Sequence, residues 1–170
     1  MKNKVSRNYL EIYSIRDLLD VPKPLNKLKL KLVDPPDFQL NKFFYKEIGK
    51  NLHWVDRLVW SDKKWIEYLN SLNVYTYILK EDDNLIGYYE KIFDYKKLEY
   101  EIAYFGILKE YIGKKLGGYL LSEAIKNAFK SNCKRIWVHT CSLDHKHALN
   151  NYLSRGMKIF KSEEINIFND

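Results

Sequence analysis

Between Glu99 and Phe129 the chain reads EYEIAYFGILKEYIGKKLGGYLLSEAIKNAF, an apolar run followed by a basic, glycine-bearing stretch and then an amphipathic one. Gly113, Lys114, Lys115, Leu116, Gly117 and Gly118 form the middle of it. A helix beginning near Lys114 leaves its first backbone N–H groups without intrahelical partners, and its dipole places partial positive charge there. Such a terminus accepts phosphate oxygens, glycines let a ligand approach the backbone, and the lysines add formal charge. A solvated turn before a helix fits the same letters. Neither the Gly-Lys-Ser/Thr ending of a Walker loop nor GxGxxG is present.

Three further groups could do chemistry. Glu101 stands on an otherwise apolar strand, where a carboxylate is costly unless it is paired or faces a wet cleft. It is therefore a candidate general base or half of a buried ion pair with His139 or Arg57, and Glu99, two positions earlier, competes for either role. HWVDRLVW crowds His53, Trp54, Arg57 and Trp60 into a short segment, suited to a pocket wall or to a satellite of the core. Cys141, Ser142, His145 and His147 lie close together without a nucleophile elbow or a third partner. Two cysteines with no CxxC spacing, and no histidine pattern suited to zinc, predict no metal site.

The elements that must position these groups follow from periodicity. Leu116, Leu120, Ala124 and Ala128 recur every fourth residue, widened by Leu121 and Ile125, and predict a helix with one buried face. Before it, Glu99, Glu101, Ala103 and Phe105 are expected on one side of a strand, with Tyr100, Ile102, Tyr104 and Gly106 on the other. Residues 74–79 and 85–93 read as strands joined by a turn at 81–84. KLKLKLV at 27–33 alternates as an edge strand with its lysines in water, although basic alternation of this kind also suits nucleic acid. Helices are expected over 38–48, over 62–69 behind a Ser61 cap, and over 144–153 between Asp144 and Gly156. Short strands are expected over 8–14 and 135–140, and a last hairpin over 157–161 and 165–168. The strands flanking the long helix form a βαβ crossover, hence a parallel pair.

Composition bounds the rest. At 170 residues, 46% hydrophobic and 15% aromatic, the chain is expected to fold as one domain over 1–170. Its net charge is +7, and residues 1–50 hold 11 basic against 6 acidic side chains, which is +5 of that total. The balance favours anionic partners, with a solvated lysine face as the plainer cause. The amino terminus lacks an apolar signal core and no run of 18 apolar residues occurs, so no membrane partner and a reducing, cytoplasmic setting are expected.

YIGKKLGGYLL, and more closely EIAYFGILKEYIGKKLGGYLL together with WVHTCSLDHKHALNNYLSRGM, resembles a bacterial-type branch of the GCN5-related N-acetyltransferase (GNAT) superfamily. The match covers roughly residues 40–160, with Lys109 and Lys146 replacing prolines, Lys115 a glycine and Met157 a phenylalanine. The fold this implies is a GNAT-like α/β (α+β) one: a mixed, mostly antiparallel central sheet with a splayed parallel strand pair, flanked by helices. The implied activity is acetyl transfer from acetyl-CoA to a primary amine of a small molecule. That reaction needs a phosphate cradle, a deprotonated amine, stabilisation of an oxyanion and a proton for the departing thiolate. The resemblance gives the pantetheine arm to the backbone of Phe105, Gly106 and Ile107 and the pyrophosphate to Ile112–Gly118. It makes Tyr152 the general acid, with His145 and Ala148 on the same helix, and sets His53, Trp54, Arg57 and Trp60 beside the acceptor. Tyr152 could equally pack in the core. A non-catalytic acyl-CoA-binding or interaction domain and a protein or peptide N-acetyltransferase remain alternatives, nucleic acid is a weaker one, and a homodimer is compatible with all of them.

Overall fold

The computed structural model describes residues 2–25 and 27–168. Its strands are β1 (Lys2–Ile12), β2 (Leu28–Leu32), β3 (Val74–Glu81), β4 (Asn84–Asp94), β5 (Glu99–Ile107), β6 (Arg135–Cys141) and β7 (Lys158–Phe168). Its helices are α1 (Phe38–Gly49), α2 (Asp62–Leu69), α3 (Leu116–Phe129) and α4 (Ala148–Ser154). The strands form one sheet in the order β2-β3-β4-β5-β6-β1-β7. All neighbours are antiparallel except β5 and β6. The lysine-alternating β2 lies at one edge with Lys29 and Lys31 exposed, as an edge strand requires.

Local signals start the helices. The Asp37 carboxylate accepts from the backbone N–H groups of Gln39 and Leu40 at the start of α1, and the Ser61 hydroxyl accepts from that of Lys64 in α2. α1 and α2 cover one face of the sheet, where Phe44, Ile48, Tyr45 and Trp65 pack with Ile78, Tyr88 and Tyr104. α3 and α4 cover the other. There Leu116, Leu120, Leu121, Ala124, Ile125 and Ala128 are buried, and Tyr152 packs with Ile102, Phe105 and Val138. Burial of each such leucine or isoleucine contributes about 1.5–3 kcal/mol, which is what holds the long helix to the sheet.

Two irregularities of β5 shape the site. It pairs with β6 at only three rungs, Glu99 with Arg135, Tyr100 with Ile136 and Glu101 with Trp137, after which the parallel strands part. Opposite β4, Tyr104 pairs with Glu90 and Ile102 with Lys91, so Ala103 is an extra residue, a bulge. The bulge overturns the strict alternation expected for this strand. Phe105 falls on the α3 face with Ile102, while Tyr104 and Gly106 fall on the α1 face with Glu101.

Other boundaries also moved. The strand expected over 8–14 is the longer β1, and Ser14 instead caps a 3-10 turn at Ile15–Asp17. The expected last hairpin is a single strand, β7, paired along β1. The helix expected from Asp144 begins at Ala148, and α3 begins at Leu116 rather than Lys114.

Candidate active site

A cavity of about 1260 Å³ opens where β5 and β6 part. Of the residues singled out in the sequence, Glu101, Tyr152, Phe105, Gly106, Ile107, Ile112, Gly113, Lys115, Leu116, Gly117, Gly118, His145, Ala148, His53, Trp54 and Arg57 line it. Lys114 and Trp60 do not. Lys114 lies outside with its Nζ 5.2 Å from the Tyr111 ring centroid, and Trp60 packs edge-on against Trp65 and Tyr68.

At one end of the cavity is the start of α3. Lys115 precedes it with φ 62°, ψ 11°, in the left-handed region, and no side chain caps the terminus. Gly113 is also left-handed at φ +88°. Alternating conformations of this kind turn successive N–H groups to one side, and the helix dipole adds to them. A Cβ built on Gly117 would meet only Asn151 Nδ2 at 3.7 Å and Ile107 Cγ1 at 3.9 Å, ordinary contact distances. Protein packing therefore does not require glycine at Gly117, whereas an anion close to the backbone would. A pyrophosphate fits this donor set. His145 lies in the turn before α4 rather than on it, its pKa lowered by burial and then by the neighbouring His147 and Lys146. Ahead of it, the Asp144 carboxylate accepts from the Thr140 hydroxyl at 2.6 Å and the Cys141 N–H at 2.9 Å, fixing that turn against the end of β6.

Glu101 and Tyr152 come from opposite faces of the sheet and meet the cavity at the parted strands. Burial raises the Glu101 pKa and the more distant Arg57 charge partly opposes it. Among the described residues it forms no ion pair. Glu99, by contrast, is bonded at 3.0 Å to Arg135, which also holds Glu11 at 2.7 Å. Tyr152 is buried, and burial followed by the Asp144 charge pushes its pKa well up, so the phenol keeps its proton at any physiological pH. Its ring lies 6.3 Å from that of Phe105.

Arg57 borders the cavity but is otherwise committed. Its guanidinium donates to both Glu90 oxygens, at 2.8 and 3.2 Å, and to the Tyr68 hydroxyl at 2.9 Å. The ring centroids of Tyr104, Tyr68 and Trp60 lie 4.2, 4.3 and 4.7 Å from its Cζ. Burial alone would lower its pKa, yet the Glu90 carboxylate more than reverses this and the net shift is upward. Glu90 also accepts from Asn41 at 2.8 Å and Tyr68 at 3.0 Å. The Arg57 charge is thus answered inside the protein. The neighbouring Asp56 accepts from Tyr45 and Tyr104 and fixes the wall carrying His53 and Trp54.

Among the lining residues that sequence reasoning passed over are Arg7, Asn151 and Arg155. Arg155 has a signal in hindsight, since it falls one turn beyond Asn151, immediately after a helix already placed at the site. Its Nη1 lies so close to Gly118 that a Cβ there would stand 2.5 Å from it. Arg7 alternates with Asn8 and Leu10 on a strand whose neighbours only the fold reveals.

The model of the acetyltransferase (GNAT) family matches residues 41–157. No curated protein matches the sequence. Among solved structures, a GCN5-related N-acetyltransferase from Sphaerobacter thermophilus is similar at a TM-score of 0.71 and 13% identity, over 97% of this chain and 52% of that one. This chain thus spans about half of that relative. An aminoglycoside acetyltransferase from an uncultured soil metagenomic sample has a TM-score of 0.65 and 14% identity, over 78% of this chain and 90% of that one. IAA acetyltransferase from Bacillus cereus has a TM-score of 0.58 and 19% identity, over 79% of each chain. At these identities the structural likeness is one of fold. The family match spans more than half of the sequence, and the parted strands, the uncapped helix start and the sheet order agree with it: the chain belongs to the acetyltransferase (GNAT) family.

Proposed function

We propose that this protein transfers an acetyl group from acetyl-CoA to a primary amine of a small molecule, directly and without a covalent enzyme intermediate. The observation that carries the reading is the single cavity bordered by an uncapped, glycine-bearing helix start, an unpaired carboxylate and a permanently protonated phenol. Acetyl-CoA, when bound, supplies an acyl thioester with a thiolate as leaving group. The chain's own residues do the rest. The N–H groups of Leu116, Gly117 and Gly118 hold phosphate oxygens, and the edge of β5 that β6 leaves unpaired beyond Glu101 offers backbone groups to an extended arm. Glu101, its pKa raised by burial, takes a proton from an incoming ammonium. Tyr152 holds a proton at its phenol oxygen for the departing group; burial raises the phenol pKa, and the same burial makes a thiolate formed beside it more basic, which favours the transfer.

A small-molecule acceptor is supported by the aromatic and polar wall of His53, Trp54 and Asp56 and by the aminoglycoside and IAA acetyltransferases that share the fold. A thiol-release assay across amino acids, aminosugars, polyamines and peptides tests the reading. Tyr152→Phe is expected to lower kcat by ~10²-fold or more with little change in acetyl-CoA affinity. Glu101→Gln is expected to remove the acidic limb of the kcat/KM profile, since the base must lose its proton before it works. Undiminished turnover in Tyr152→Phe would return that residue to core packing.

A further inference from the structure

One arginine of the cavity shares a face with Glu101 and is left without an ion pair among the described residues. It is Arg7, on β1. Its Nε is shut off from solvent and has no hydrogen-bond partner. An unsatisfied, buried donor is costly, and on a cation more so. The nearest cross-strand carboxylate, Glu163 on β7, is engaged elsewhere, accepting from the Tyr9 hydroxyl at 2.6 Å and the Lys161 ammonium at 3.0 Å. Asp144 is likewise occupied by Thr140 and Cys141.

Register places Arg7 relative to the chemistry. Arg7 pairs with Cys141, Tyr9 with His139 and Glu11 with Trp137, and Trp137 pairs in turn with Glu101. Cross-strand partners share a face, so Arg7, His139 and Glu101 all look out on the same side of the sheet. Glu101 stands on the last rung before β5 and β6 part, and Arg7 lies on β1, beyond β6, two same-face steps, about 14 Å, along from that rung. Arg7 is one same-face step, about 7 Å, along β1 from the rung that carries His139.

Resting on the acetyl-transfer reading above, we propose that Arg7 binds a carboxylate of the acceptor, which makes that acceptor a small amine that also carries a carboxylate, with its amine turned to Glu101. A guanidinium offers two parallel donors to a carboxylate, and that of Arg7 lines the cavity with no ion-pair partner among the described residues. Arg57, which the resemblance set beside the acceptor, is closed to a ligand carboxylate by Glu90. A polyamine would place a second cation where this reading places the carboxylate, against the Arg7 charge.

The test uses the whole 170-residue chain and acceptor pairs that differ only by a carboxylate: lysine and cadaverine, ornithine and putrescine, γ-aminobutyrate and propylamine, phenylalanine and phenethylamine. Thiol release is measured for each, with acetyl-CoA binding measured by calorimetry on the same samples. The carboxylate-bearing member of at least one pair is expected to be the better substrate. Arg7→Gln is expected to raise its KM about 10- to 100-fold, leaving the KM of its partner and of acetyl-CoA unchanged. Arg7→Lys, which keeps the charge and loses the fork, is expected to recover part of that loss. A preference for the decarboxylated members, an equal KM increase within a pair, or turnover of no pair while acetyl-CoA still binds overturns the proposal and leaves the acetyl-CoA site standing. Absence of acetyl-CoA binding in the unmutated protein removes the functional reading and this one together.

Discussion

Glu90 and Glu101 lie on adjacent strands and near the same arginine, yet they are opposite kinds of carboxylate. Glu90 is wholly buried and holds Asn41, Arg57 and Tyr68, so every lone pair facing the protein is answered. Glu101 borders the cavity, has its pKa raised by burial, and is offered nothing but the distant Arg57 field. Arg57 and Arg7 divide in the same way, one closed by Glu90 and four rings, the other unpaired. The difference teaches that partner count, more than residue type or position near a cleft, separates groups that hold the fold from groups free to act on a ligand.

The comparison breaks most visibly at Arg57. Removing one partner of a buried pair leaves the other charge stranded, so Arg57→Ala is expected to destabilise the fold by about 3–5 kcal/mol in chemical denaturation. Glu101→Gln, with no partner to strand, is expected to stay within about 1 kcal/mol of the parent. If the two variants lose similar stability, the division between a closed and an open carboxylate is wrong.

Lys91 sharpens the point from the other face of the sheet. It is 3% exposed, sits 4.1 Å from the Tyr100 ring centroid and forms no ion pair among the described residues. Burial pushes its pKa down to about 8, against a slight opposing effect of Cys133. With the folded value below the unfolded one, the unfolded chain binds more protons between the two. Stability therefore rises as pH climbs from about 8 towards about 10.4, and is lowest, on this account, where the buried amine is charged. Lys91→Met is expected to add about 1–3 kcal/mol at pH 7 and to flatten that rise, as read from denaturation midpoints across pH. An unchanged slope would show that the tyrosines already neutralise the cost.

How far the sequence carried follows the range of each interaction. The β5-loop-α3 unit was legible because its signals are local: an apolar repeat at every fourth residue, glycines at 113, 117 and 118, and a crossover that only one hand allows. The bulge at Ala103 was not, since an alanine inside EYEIAYFG carries no bulge signal and the extra residue is set by the pairing of β4. That single residue moved Phe105 to the opposite face from the one that alternation gives. Residues 157–168 looked like two short strands because Ser162, Glu163 and Glu164 are turn-compatible, but pairing with β1, more than 150 positions away, keeps them extended. The partner of Arg57 was misjudged for the same reason. Sequence showed two acids on β5, and the one that pairs lies on β4, 33 positions from the arginine.

The central claim is that the start of α3 is a cradle for the pyrophosphate of acetyl-CoA, and Gly117 tests it most directly. A Cβ there meets nothing closer than 3.7 Å in the protein, and alanine favours the first turn of a helix. Gly117→Ala is therefore expected to melt at or above the temperature of the parent while binding acetyl-CoA at least about 10-fold more weakly in calorimetry, because the added methyl occupies the approach to the N–H groups. Unchanged affinity in a folded Gly117→Ala protein would contradict the account, placing the phosphates away from this helix.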